Sequence, residues 1–268
     1  MRRIKEDRLA QCTAAAHGRS SFEAAAAIAV KAGEKAMNIV DKARVSGESS
    51  RSEGQDLAYF RIGDSLGGNQ DWFPDWWMNK GGCAAATACD CCIYFYLFAG
   101  KKKLYPFSGP LTREAYIDFS RIMKPYLSPR MTGINRLNIY REGLSGYFRD
   151  AGDNSLTMTE FAGGRSADEA VRAVKKQIGN GFPVPFLTLK HRDPAFSEYV
   201  WHWYLLTGWK ETDGCFLVRA VTYGAGEWLD LKRLWDTGYS QKGGMILFES
   251  TARKGSILTN PAAAPAEM

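Results

Sequence analysis

The stretch 79-NKGGCAAATACDCCIYFYLF-98 decides how the chain is read. Cys83 follows Gly81 and Gly82, and behind it runs an apolar, alanine-rich segment that holds Cys89, Cys91, Cys92 and one charge, Asp90. Four readings compete: a metal site, a membrane span, a buried helix, or a nucleophile at a helix start. Spacing disfavours the metal. Structural zinc takes Cys-x2-Cys pairs at two separated places, or Cys with His. Here Cys91 and Cys92 are adjacent, so on a helix they diverge by about 100°, and no Cys-x2-Cys pair lies elsewhere. No metal and no cofactor are expected. A membrane span is disfavoured by Asp90, which would sit at mid-membrane depth, where a charge is expensive. A buried helix remains, with Cys89, Cys91 and Cys92 as small apolar filler, since free Cys is among the most buried residue types. Asp90 then needs a buried partner such as a Lys, an Arg or a backbone N–H.

Cys83 differs from the other three. It stands where the helix begins, in reach of exposed N–H groups and the positive end of the macrodipole, which favour a thiolate. Gly81 and Gly82 before it let a substrate backbone approach, and N–H groups at a helix start can hold an oxyanion. A thiol nucleophile needs a base, and the chain has three His. His17 lies near the N-terminus, His191 beside Lys190 and Arg192, and His202 in the aromatic run 199-YVWHWYLLTGW-209.

Outward from this stretch, residues 1–45 read as helical, with Ser20 and Glu23 spaced as a capping box, and 46–56 (SGESSRSEGQD) as a linker. The expected division is an extension and linker at 1–56, a main domain at 57–255, and a disordered tail at 256–268. Within the main domain, 60–78 reads as an ordered loop, and 112–126, 135–152 and 166–178 as helices, with 155–161 a strand between the last two. Strands are expected at 184–190, 199–209, 215–222, 228–231 and 245–249, with a hairpin turn at Asp213-Gly214. Helices first and antiparallel strands after indicate α+β, not alternating βαβ units.

Composition narrows the function classes. The net charge is +6 over 268 residues, with Lys and Arg scattered apart from Lys101-Lys102-Lys103, so no nucleic-acid partner is expected. No apolar segment of signal-peptide type follows the basic N-terminus. Four of the six cysteines crowd into ten positions, unlike a secreted disulfide framework. A cytoplasmic protein with reduced thiols and no membrane span is the expectation.

The order Gly-Gly-Cys83 at a helix start, then 181-GFPVP-185 leading into a strand, then His202 with Thr207-Gly208-Trp209, resembles the papain-like cysteine peptidases. The likeness is greatest to the bacterial branch related to the peptidase domains that trim double-glycine (bacteriocin-type) leader peptides. It covers about residues 60–250. It implies a papain-like α+β fold in which the Cys helix of an N-terminal helical lobe packs against an antiparallel sheet or half-barrel, here with the N-terminal helical extension added. It implies Cys83 as nucleophile and His202 as general base, a thiolate–imidazolium pair that cleaves a peptide or related amide bond of a peptide or protein substrate through an acyl-enzyme. Two positions depart from the family's pattern. The oxyanion Gln is expected about six positions before the Cys, where this chain has Trp77; Asn79 is the nearby amide, as an oxyanion donor or as a turn residue. The family's Asn or Asp after the His aligns with Val221 in 221-VTYG-224, which leaves Thr222 as the first candidate to orient His202 and Asp230 as the second. Gly81, Gly82 and Trp77 are expected to wall the substrate cleft. The departures keep open a second function, a catalytically degenerate domain that binds a peptide or protein. A third is an interaction protein unrelated to peptidases.

Overall fold

The computed structural model describes residues 53–251. The expected extension and linker up to 52, with His17, and the tail from 252 lie outside the described residues. Six α-helices are described: α1 (Trp76–Gly81), α2 (Cys83–Phe98), α3 (Arg113–Met123), α4 (Leu137–Asp150), α5 (Ala167–Gly179) and α6 (Leu231–Trp235). Nine strands accompany them: β1 (Gly54–Asp56), β2 (Arg61–Ile62), β3 (Ser65–Leu66), β4 (Leu156–Ala162), β5 (Val184–Thr188), β6 (His202–Thr212), β7 (Cys215–Thr222), β8 (Ala225–Asp230) and β9 (Gly243–Ser250). The class is α+β, with a mostly antiparallel sheet, as the order of patterns predicts.

α2 is the chain's opening stretch in folded form. Twelve of its sixteen residues are buried, including Cys89, Cys91 and Cys92 at 0% exposure. A helix apolar on every side belongs inside the molecule, and α2 packs against β6, β5 and α3. Gly100, left-handed at φ 68°, follows its end, and the Lys101 N–H turns back to the Phe95 carbonyl. α5 starts on a capping box in which Ser166 and Glu169 satisfy each other's backbone N–H, as their spacing predicts.

The main sheet runs β4-β9-β5-β6-β7-β8, every pair antiparallel. All of β5 and the first eight residues of β6 are buried, so both faces of the sheet's centre are covered. β1 extends the sheet, pairing Gly54–Asp56 with Lys210–Gly208 beyond the point where β5 stops. The linker reading of 46–56 therefore fails at its end: 54–56 is a strand, and Leu57 donates its N–H to the Thr207 carbonyl.

Two local features aim the site. The first is the start of β6. The strand begins at His202 and not at Tyr199, because 194–199 is a 3-10 turn capped by Asp193 and Trp201 is left-handed at φ 56°. The second is a bulge. From the Asp213-Gly214 turn, β6 and β7 pair as Thr212↔Cys215 up to Gly208↔Arg219; past Thr207 the register shifts by one, to Leu206↔Ala220 and Leu205↔Val221. Without the shift Thr222 would fall opposite Leu205, on the wrong face. With it, Thr222 falls opposite Tyr204, on the face of His202, because strand side chains alternate with period two.

Candidate active site

Cys83 is the first residue of α2, and no side chain caps that helix start, so its N–H groups are left to other partners. Gly82 is needed here for a reason other than substrate access: a Cβ on it would lie 2.3 Å from the Met78 carbonyl oxygen, where α1 abuts α2. Gly81 lines the cleft, and a Cβ added to it would lie 3.3 Å from the Pro129 Cβ. Cys83 is 9% exposed, and it shares with His202 the wall of a cavity of about 640 Å3. The two residues also border a second cavity of about 20 Å3, room for about one water, which reaches inward to Asp90 and Tyr116.

His202 Nε2 and Thr222 Oγ1 are 2.7 Å apart. The diagonal placement across β6 and β7 set by the bulge makes this pair possible. A Thr hydroxyl that accepts from Nε2–H fixes the tautomer and leaves Nδ1 as an acceptor. Tyr223 lies flat against the imidazole, rings 4.9 Å apart and 5° from parallel. Burial pulls His202 down to about 4 and pushes the Cys83 thiol up, against the smaller downward pull of the Trp203, Ala84 and Cys83 backbone N–H groups. Both directions favour a neutral thiol and neutral imidazole at rest, contrary to the thiolate expected from the helix start; burial outweighs the helix terminus.

The other expected residues are scattered. Trp77 lines the cleft and is 47% exposed. Asn79 is occupied in the loop: its Nδ2 donates to the Asp71 carbonyl, and its own carbonyl accepts from Gln70. Asp230 does not approach His202. It caps α6 through the Arg233 N–H and pairs with Leu217, five positions along β8 from the Thr222 end. His191 is held by structure, accepting the Asp193 N–H at Nδ1 and meeting the Arg233 carbonyl with Nε2.

Sequence reasoning missed Gln70. It is 6% exposed and borders both cavities beside Cys83. Its Nε2 donates to the Asn79 carbonyl at 2.7 Å, and its Oε1 is buried with no partner among the described residues. It lies thirteen positions before Cys83, not six, and the only signal was residue type: it is the sole glutamine between 57 and 82. Its loop is pinned to α2 by Asp90. That carboxylate accepts the Gly68 N–H at 3.1 Å and the hydroxyls of Tyr116 and Tyr59 at 2.8 and 2.9 Å. Asp90 thus finds the expected backbone N–H and two tyrosines in place of a cation, and burial still raises it to about 6. The loop's other anchor is Asn69, which donates to the Tyr223 carbonyl.

Among the described residues no group of three or more His, Cys, Asp or Glu is placed to hold a metal ion, and no helix is long and apolar enough to cross a membrane. No protein-family model and no curated protein matches this chain.

Proposed function

We propose that the protein is a cysteine-dependent acyl hydrolase of peptidase type, cleaving a peptide or related amide through Cys83 and His202. One observation carries this reading: a cysteine at an uncapped helix start and a histidine tethered to a hydroxyl share the wall of one open cleft. The papain-like resemblance of the sequence points the same way.

The chemistry starts from the neutral pair. As the sulfur attacks the substrate carbonyl carbon, His202 Nδ1 takes the thiol proton, and the thiol's poor resting ionisation matters less because transfer accompanies attack. The carbonyl oxygen becomes an oxyanion, stabilised by the N–H groups at the start of α2 and by the amide of Gln70 once its Nε2 turns from Asn79. The carbon–nitrogen bond then breaks, and the leaving amine takes the proton from His202. Water attacks the resulting thioester, passing its proton to His202; the acid departs and the thiol is restored. Thr222 holds the ring through both steps.

A second reading rests on a specific observation. The partner of His202 is a hydroxyl and not an amide or carboxylate, a weaker support for an imidazolium, and this favours a peptide-binding domain without turnover. Fluorogenic peptides of mixed sequence separate the two. Hydrolysis abolished by Cys83→Ala supports the enzyme; saturable peptide binding without hydrolysis, equal in wild type and Cys83→Ala, supports the binding domain.

A further inference from the structure

Nine large hydrophobic side chains are exposed among the described residues, and five of them line this one cleft: Trp76, Trp77, Met131, Trp201 and Tyr223. A cluster of that kind marks an interaction site, whereas scattered exposed apolar residues are ordinary. Two of the five stand in backbone that their residue types disfavour. Trp201 is left-handed at φ 56° immediately before His202, and Tyr223 at φ 49° immediately after Thr222. Strain of this sort concentrates at ligand clamps. Both rings line the cleft with Trp76 and Trp77 of α1, and Tyr223 stacks on His202.

The charges along the same wall are uneven. Lys80, at the end of α1, and Arg130 are both exposed and line the cleft. Neither has an ion pair among the described residues, although Lys124 nearby is paired with Asp75. Glu198 is the only acidic residue of the lining. An apolar ligand alone would leave both cations without a partner, and a purely acidic one would leave the rings uncovered.

We infer that the cleft selects a peptide segment in which a large apolar side chain stands close to an acidic one, the apolar group packing among the four rings and the carboxylate meeting Lys80 and Arg130. This rests on the acyl-transfer reading of the same site. Arginine and lysine at the rim contribute more to selection among ligands than to raw affinity, so the effect is a preference among substrates and weakens as salt rises.

The test uses the full chain and matched tripeptide vinyl sulfones, which alkylate an activated thiol irreversibly. The set pairs Phe with Asp, Phe with Asn, Phe with Lys, and Ala with Asp. The expected result is labelling of Cys83 fastest for Phe with Asp, by about tenfold over Phe with Lys and over Ala with Asp, a difference of about 1.4 kcal/mol. In Lys80→Glu/Arg130→Glu, with folding verified by its circular dichroism and melting, the order of the Asp and Lys probes reverses. Equal rates across the set overturn the selectivity while leaving the reaction intact. If no probe labels Cys83, binding of the corresponding unreactive peptides to Cys83→Ser, read by tryptophan fluorescence, decides. Tighter binding of the Phe and Asp peptide then keeps the selectivity and removes the reaction; no preference removes both.

Discussion

The β6–β7–β8 ladder ends in two tight turns of nearly the same backbone, and the residues placed in them differ. At the end away from the cleft, Asp213 and Gly214 take φ 49° and 76°; at the cleft end, Tyr223 and Gly224 take 49° and 77°. Asp-Gly suits a turn with two left-handed residues. Tyr does not, because it meets the same Cβ crowding without the short polar side chain by which Asp or Asn bonds locally in that region. The far turn is thus built from residues that make a good hairpin, and the near turn from one that makes a good lid for His202. Trp201 repeats the pattern one strand over. Between the two ends lies the bulge at Thr207, which takes the register set by the far turn and shifts it so that Thr222 meets His202.

The largest effect is expected from the base itself. His202→Ala lowers peptide hydrolysis by about a hundred- to ten-thousandfold, the usual weight of a general base, with little change in melting temperature. If the rate falls less than tenfold, the cleft end is no more catalytic than the far end. Thr222→Val is expected to cost about ten- to a hundredfold in kcat, the range seen when a partner that orients a functional side chain is lost, while Thr222→Ser keeps most of the rate. Equal losses in Val and Ser would place the importance of Thr222 in packing and not in its hydroxyl.

The foot of the cleft end has its own pH signature. Asp90 titrates near 6 when folded and near its ordinary 3.8 when unfolded. Its ionisation therefore costs stability as pH rises between those values, by about 3 kcal/mol in full. His202 works in the opposite sense: held down to about 4 when folded, it costs stability as pH falls from its ordinary range. Denaturation midpoints of Asp90→Asn and wild type, compared at pH 4 and pH 7, should differ more in favour of the variant at pH 7. A difference independent of pH would mean that Asp90 does not titrate in this range. The smallest effects come from exchanging the turn residues. Asp213→Tyr should cost about 1 kcal/mol, the penalty of a left-handed bulky residue, and leave hydrolysis unchanged. Tyr223→Asn should leave stability within about 1 kcal/mol, since relief of strain offsets the lost ring contact, and still lower hydrolysis several-fold.

Much of this was legible in the residues. α2 was readable because fourteen apolar residues out of sixteen, with a single charge among them, suit a buried helix, and the Ser166 and Glu169 box announced α5. Cys83 stood out at an expected helix start, whereas His202, inside the expected strand 199–209, and Thr222 were picked out only by the papain-like resemblance; the structure brings His202 and Thr222 into contact. What escaped depends on contacts distant in sequence. Gln70 reaches the cleft only because Asp90 holds Gly68 from one side and Asn69 holds Tyr223 from the other. Asp230 looked available because its work as the cap of α6 cannot be seen without knowing where β8 ends. The start of β6 was misplaced because an aromatic run such as 199-YVWHWYLLTGW-209 gives no sign that Trp201 turns left-handed. The burial that pushes the Cys83 thiol up was not legible either, because a helix start is local, whereas burial is a property of the whole fold.

The most direct test of the central claim uses the internal control that α2 supplies, one cysteine in the cleft and three at 0% exposure in the same helix. Wild type and His202→Ala are treated at pH 7 with one equivalent of a peptidyl vinyl sulfone, and the adduct is mapped by mass spectrometry over time. The account predicts a single adduct on Cys83, with Cys89, Cys91 and Cys92 unmodified, formed at least about a hundredfold more slowly without the imidazole. Labelling of Cys83 at the same rate in both proteins, or no labelling of Cys83 in the folded wild type, would contradict it.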